Sequence, residues 1–179
     1  MADIAIRRAH ERDIPSVEHV LREGKAAIAE LGISQWQHGT YPNHEDVARD
    51  VAQGHCYLAE DETGAALGTI ALSFDGDPTY DAIDGAWLTQ TTSANARYAT
   101  IHRTAVDRAA ARRGVMSALF AEAERLSRAA GCESMRADTH PGNTPMRGLL
   151  ERKGFTACGT ILLTRDDPDP VRVAYEKVL

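Results

Sequence analysis

The stretch Tyr98–Ala130, YATIHRTAVDRAAARRGVMSALFAEAERLSRAA, decides the fold. Its opening part, Ala99 to Val106, mixes β-branched and small residues with the polar His102 and Arg103, and predicts a strand. Val115, Met116, Leu119, Phe120, Ala123 and Leu126 then recur at helical spacing and predict a long amphipathic helix. The join, Arg112-Arg113-Gly114-Val115-Met116-Ser117, falls at the first turn of that helix. A helix start leaves backbone N–H groups without intrahelical partners and carries partial positive charge. Small residues let an anion approach such a backbone, and arginines add fixed charge. Two readings stand open on this turn alone: a pyrophosphate cradle, or an ordinary strand-to-helix connection with two solvated arginines.

Downstream, Met135-Arg136-Ala137-Asp138-Thr139 predicts another strand. A polar loop follows, then a short helix opened by Asn143 or Thr144 before Pro145 and stopped at Gly154. Three pieces together, the strand end Ala105-Val106-Asp107, the Arg113-Gly114-Val115 turn and the run Asn143 through Gly154-Phe155, resemble the GNAT acyltransferase superfamily, which moves an acyl group from acyl-coenzyme A to an amine. The close similarity covers residues 98 to 163. In two places, the phosphate loop and the short helix, the match departs from the family pattern. Its phosphate loop is usually Arg or Gln, two residues, Gly, one residue, then Gly or Ala, whereas this chain runs Ala111, Arg112, Arg113, Gly114, Val115, Met116. Many members also carry a tyrosine in the short helix as general acid, and Leu150 stands there.

The resemblance implies one GNAT-type domain over residues 1–179, an α/β (α+β) fold. Its central mixed, mostly antiparallel twisted sheet would have about seven strands flanked by helices, with two neighbouring strands splayed to admit acyl-CoA. It implies acetyl-CoA as acyl donor. The pyrophosphate would lie on Arg112, Arg113, Gly114, Val115, Met116 and Ser117. Thr104, Ala105 and Val106 would offer backbone to the pantetheine arm and the oxyanion, with Asn143 and Met146 nearby.

Composition bounds the alternatives. A chain of 179 residues with 43% hydrophobic and 26% charged residues suits one soluble globular domain. A net charge of −6 with no basic stripe argues against nucleic acid. Cys56, Cys132 and Cys158 are an odd number, widely spaced and without CxxC, which suits reduced thiols in a cytoplasmic protein. No apolar run has signal-peptide or bilayer length. The histidines contain no HExxH, and His38 with His44 lacks a third ligand, so no metal is expected. Walker, GxGxxG and GxSxG motifs are also missing.

Ile4 to Ala9 alternates like a first strand, and Asp13-Ile14-Pro15-Ser16 is a helix start. Asn43 or His44 opens a second helix that Gly54 stops. Cys56–Glu60 and Leu67–Phe74 predict a hairpin around Asp61-Glu62-Thr63-Gly64. Thr156–Thr164 and Val171–Val178 predict another around the Asp- and Pro-rich turn Arg165–Pro170. An exposed sheet edge near the C-terminus is a candidate surface for a homodimer. In the loop Ile33–Pro42, Trp36 and Tyr41 offer flat apolar surface with polar ends, fit to line a substrate pocket, although Trp36 could equally cap the core. Tyr80 is a third substrate candidate. It lies among four aspartates, Asp75, Asp77, Asp81 and Asp84, which either draw a cationic amine or form a solvated loop.

Acyl transfer to an amine needs the amine neutral, although its ordinary pKa is roughly 10.4. An imidazole titrates near roughly pH 6.5, so His102 is the leading base, with Asp138 and His140 as alternatives. Water or Tyr98 could serve as acid in place of the missing tyrosine. The implied activity is an N-acetyltransferase acting on a primary amine of a small molecule or peptide. The alternative is an acyl-CoA sensor with the same fold and no turnover.

Overall fold

The structure is a computed structural model, and it describes residues 4–39, 41–165 and 167–179. Met1 to Asp3, Thr40 in the candidate substrate loop and Asp166 in the C-terminal turn lie outside the described residues. In chain order the elements are β1 (Ala5–Arg8), α1 (Ile14–Ala29), α2 (His44–Ala52), β2 (Cys56–Glu60) and β3 (Ala66–Ser73). Next come β4 (Asp84–Gly85), β5 (Tyr98–Val106), α3 (Val115–Ala129), β6 (Ser134–Thr139), α4 (Thr144–Arg152), β7 (Thr156–Leu162) and β8 (Val171–Val178).

The strands form an open mixed sheet in the order β1-β2-β3-β5-β6-β8-β7-β4. It has eight strands rather than about seven, and two-residue β4 is too short to leave a sequence signal. β5 and β6 run parallel, while β1/β2, β2/β3, β6/β8, β7/β8 and β4/β7 are antiparallel. The described β5/β6 register runs from Tyr98↔Ser134 to Ile101↔Ala137, although β5 continues for five residues, His102 to Val106.

The chain divides into two compact units. One holds the residues up to Gly32, Trp36–Leu72 and His102–Ala123, and the other holds Ile33–Gln35, Ser73–Ile101 and Glu124–Leu179. In the first, Val17, Val20 and Leu21 of α1 and Val47 of α2 pack with Cys56, Leu58 and Ala105 into an apolar core. This is the burial that stabilises two helices whose own propensity is modest. In the second, Tyr80, Tyr98, Ile161 and Ala174 form the core, with Ile83, Trp87 and Ala96 against it.

Caps set the helix bounds. Asn43 Oδ1 accepts the Asp46 N–H at 3.0 Å, and Asp46 Oδ2 accepts the Asn43 N–H at 3.0 Å, a reciprocal cap for α2. Asn143 caps α4 by accepting from Met146 N at 3.2 Å. Asp13 occupies the N-cap position of α1 but makes no side-chain cap. Its carboxylate is taken by Arg7 at 2.6 Å and by the His10 N–H at 2.8 Å. β7 stops at Leu162, short of Thr164, and Leu163 N donates to Pro170 O at 2.9 Å across the hairpin end.

Candidate active site

β5 ends at Val106, and Asp107 turns the chain by accepting the Ala109 N–H on Oδ1 at 2.8 Å. One 3-10 turn, Arg108–Ala110, follows. Arg112 (φ 62°) and Gly114 (φ 84°) then both adopt the left-handed conformation, which folds the chain sharply before α3. The first α3 bond runs from Ala118 N to Gly114 O at 3.0 Å, so the amides of Val115, Met116 and Ser117 precede the intrahelical ladder. Ala109, Ala110, Ala111 and Gly114 keep side-chain bulk away from this backbone.

Two glycines fix where that turn sits. A Cβ on Gly68 of β3 would stand 2.7 Å from Val115 Cγ1 and 3.2 Å from Leu119 Cδ1, so the head of α3 lies directly on β3. A Cβ on Gly24 would stand 2.8 Å from Ala105 Cβ, so α1 lies as closely on β5. A groove of about 560 Å³ opens beside them, lined by Val106, Arg108, Ala110–Arg112 and Gly114–Ser117 with Glu23, Ala27 and Glu30 of α1. Arg108 pairs there with Glu30 and lies 3.9 Å from Glu23.

The groove gathers Val106, Arg112, Gly114, Val115, Met116 and Ser117 from the expected cofactor set. Arg113 does not join them. It lines a different cavity, with His19, Asp61 and Asp107. Adjacent residues with a left-handed backbone at Arg112 need not share a direction, and the two arginines line separate cavities. Ala105 is buried under Gly24, while Thr104 is half-buried.

His102 is half-buried on β5, immediately before Arg103, whose φ of 47° is left-handed inside a strand. The sequence reading overlooked Arg103. Its Nε and Nη2 donate to Asp50 of α2 at 2.5 and 2.8 Å, and its Nη1 donates to the Tyr41 hydroxyl at 2.6 Å. Its Cζ also lies 5.7 Å from the Tyr41 ring centre. The available signal was Asp50 on the same face of α2 as Val47, where a carboxylate needs a partner. Trp36, itself left-handed at φ 64°, packs against the first unit's core and meets Tyr41 edge-on at 6.5 Å. Lys25 Nζ donates to Pro42 O at 2.7 Å, and Gln37 Nε2 to Lys25 O at 3.0 Å, which tethers their loop to α1.

The remaining candidates belong to the second unit and are committed elsewhere. Tyr80 is 1% exposed, and its hydroxyl donates to Asp138 Oδ1 at 2.7 Å. Burial, then the neighbouring carboxylates, pushes its phenol pKa well up. It is therefore a core residue, not a substrate contact, and Asp138 is engaged with it. Tyr98 is equally buried, accepting the Asp77 N–H at 3.0 Å, so it is no ready acid. Asn143 is buried, with Oδ1 on the α4 cap and Nδ2 donating to Gln35 Oε1 at 3.1 Å; Met146 is half-buried one turn on. His140 Nδ1 accepts the Gly142 N–H at 2.9 Å, which leaves Nε2–H to donate to Asp169 at 2.8 Å. Leu150, where many family members place tyrosine, is a buried core side chain. Among the described residues no group of three His, Cys, Asp or Glu could hold a metal ion, and no helix is long and apolar enough to cross a membrane.

Comparison with known proteins adds to this geometry. A structure described as an acetyltransferase of the GNAT family from Streptococcus agalactiae 2603 is 31% identical with a TM-score of 0.83, covering 98% of this chain and 95% of that one. The paia N-acetyltransferase of Thermoplasma acidophilum in complex with coenzyme A is 17% identical with a TM-score of 0.69, covering 99% of each chain. The ribosomal-protein-alanine N-acetyltransferase of Brucella melitensis is 19% identical with a TM-score of 0.67, covering 98% of this chain and 99% of that one. A search of curated protein sequences gave no significant match. The family model described as Acetyltransferase (GNAT) family matches residues 17–155, well over half of the sequence, and the chain belongs to that family.

Proposed function

We propose that this protein is an acetyl-CoA-dependent N-acetyltransferase acting on a primary amine of a small molecule or peptide. The observation that carries the reading is the groove at the head of α3, lined by the first turn of that helix, by alanines and by two arginines, of which Arg108 is paired with Glu30 and Arg112 is not in that pair. These residues fit a diphosphate. Amides at a helix start need an acceptor, alanines and a glycine permit its approach, and Arg112 supplies fixed charge. Arg112 and Gly114–Ser117 hold the diphosphate, while Thr104–Val106 offer the β5 backbone beyond the described β6 pairing to the pantetheine arm. When bound, acetyl-CoA supplies the acetyl group and departs as a thiol.

His102 takes a proton from the substrate ammonium, directly or through water, and leaves the neutral amine that attacks the thioester carbonyl. Trp36 and Tyr41 form the amine side of the site within the same unit. A coenzyme thiol has a pKa of roughly 8.5 by analogy with cysteine, so water suffices as proton source where Leu150 replaces tyrosine. Residues 1–179 act as one acyltransferase domain. The free Cys56, Cys132 and Cys158 fit a reducing cytoplasm; the C-terminal strand β8 lies inside the sheet, so the surface for any homodimer is its neighbour β7, which two-residue β4 pairs only at Gly159 and Thr160.

The buried Leu150 favours one second reading, an acyl-CoA sensor without turnover. A steady-state assay of free thiol with acetyl-CoA and a panel of small and peptidic amines separates the two. Thiol release that depends on an amine is expected. Tight acetyl-CoA binding with no release on any amine establishes the sensor instead.

A further inference from the structure

We propose that Arg103 is a positioning residue: clamped by Asp50 and Tyr41, it holds the left-handed break in β5 that sets the aim of His102 and the backbone after it. The inference rests on the acetyltransferase reading and adds a component to it.

Three observations converge on Arg103. The first is conformational. A non-glycine residue at φ 47° within a strand is disfavoured by contact between Cβ and its own carbonyl. Such a residue persists only where its surroundings hold it. The second is that its surroundings do so. Two parallel hydrogen bonds to Asp50 fix the guanidinium plane, and a third donor goes to Tyr41. Both partners lie far off in the chain, on α2 and on the loop before it, so the break is imposed by tertiary contacts. The third is location. The described pairing of β5 with β6 ends at Ile101, two residues before Arg103. His102 lies between the end of that ladder and the break, and Thr104–Val106 lie just after it.

A strand that alternates regularly offers its residues to two opposite faces. One left-handed residue interrupts that alternation, bends the strand and re-aims its neighbours, as bulges do beside active sites. The clamp therefore acts on catalysis through His102 and the following backbone, and not by touching acetyl-CoA. Tyr41 also belongs to the amine-side loop, so the same guanidinium ties that loop to the strand.

Arg103→Ala and Arg103→Gly give the decisive comparison, because both remove the clamp and only glycine adopts the left-handed conformation freely. With kcat, KM and a directly measured acetyl-CoA Kd, Arg103→Ala is expected to lower kcat about tenfold or more while Kd changes less than about threefold. Arg103→Gly should recover at least about threefold of the lost kcat. Equal kcat in the two variants, or a Kd that worsens in step with kcat, overturns the proposal. If neither variant folds, Tyr41→Phe decides, since it deletes one hydrogen bond and leaves Asp50 in place. A lowered kcat at unchanged Tm and unchanged amine KM supports the proposal, and an unchanged kcat, or a loss confined to amine KM, overturns it. Wild-type protein that binds acetyl-CoA yet releases no thiol sinks the acetyltransferase reading instead, which keeps the two failures distinct.

Discussion

Each unit of the molecule buries an arginine against a carboxylate, and the two arginines are built differently. Arg136, in the second unit, is fully buried with Glu176 and bonded to it at 3.0 Å. Its guanidinium lies between aromatic rings, 4.0 Å from the Tyr98 centre and 4.3 Å from Trp87, and gives its other donors to Thr89 and Thr91 carbonyls at 3.2 Å. Glu176 also accepts from Ser134 and Thr89 hydroxyls, each at 2.6 Å. Burial works against its charge, but these hydroxyls and Arg136 outweigh it, and the carboxyl pKa is lowered. Arg136 sits in regular strand. Arg103, 15% exposed at its side chain, sits on strained backbone beside the candidate base. A saturated pair on relaxed backbone anchors a core, whereas a clamp on strained backbone holds a geometry that the strand would not choose.

The largest test of that contrast is Glu176→Gln. Leaving a buried guanidinium without its counter-charge should cost about 3–5 kcal/mol in urea unfolding. A loss below about 1 kcal/mol would deny Arg136 its role as anchor. On the other side, His102→Ala should lower kcat about 10²-fold, roughly 2.7 kcal/mol on the barrier, and leave stability and acetyl-CoA Kd nearly intact. Unchanged turnover at neutral pH removes His102 from the chemistry.

A third comparison sharpens the cofactor assignment. Arg112→Ala should weaken coenzyme A binding by about tenfold, or 1.4 kcal/mol, with a steeper penalty at low salt. Arg113→Ala should change it less than about threefold, because Arg113 lines another cavity. Equal effects would mean that the two side chains do share one phosphate.

The smallest effect belongs to a more open pair, Arg7–Asp13 at 2.6 Å. The Arg7 hydrogen bond outweighs desolvation and holds the Asp13 pKa at about 2, below its ordinary 3.8. A folded-state pKa below the unfolded one stabilises above the unfolded value, so the contribution is complete above about pH 4 and disappears as pH falls through about 2. With solvent screening it amounts to no more than about 1 kcal/mol. Asp13→Asn should flatten the acid limb of stability over that window, and an unchanged limb would show the pair to be idle.

Much of this was legible locally. The strands Cys56–Glu60 and Val171–Val178, and the caps Asn43 and Asn143, are written in neighbouring residues, and the structure has them at those positions. The site was legible only in part. The Arg103 clamp joins residues 53 and 62 positions apart, and no local pattern announces it. Tyr80 lies in an acidic stretch that resembles a solvated loop, yet Asp77 caps a short turn that carries the ring inward. The separation of Arg112 from Arg113 depends on one backbone angle that composition does not encode.

Gly68 carries a lesson for redesign. The amides at the head of α3 stand where they do because a methyl group is missing beneath them, and Val115 and Leu119 fill the vacancy. Changing acyl-donor preference by reshaping the first turn alone would work against that seat. The three positions turn together like meshed teeth, and any engineered variant has to cut all of them at once.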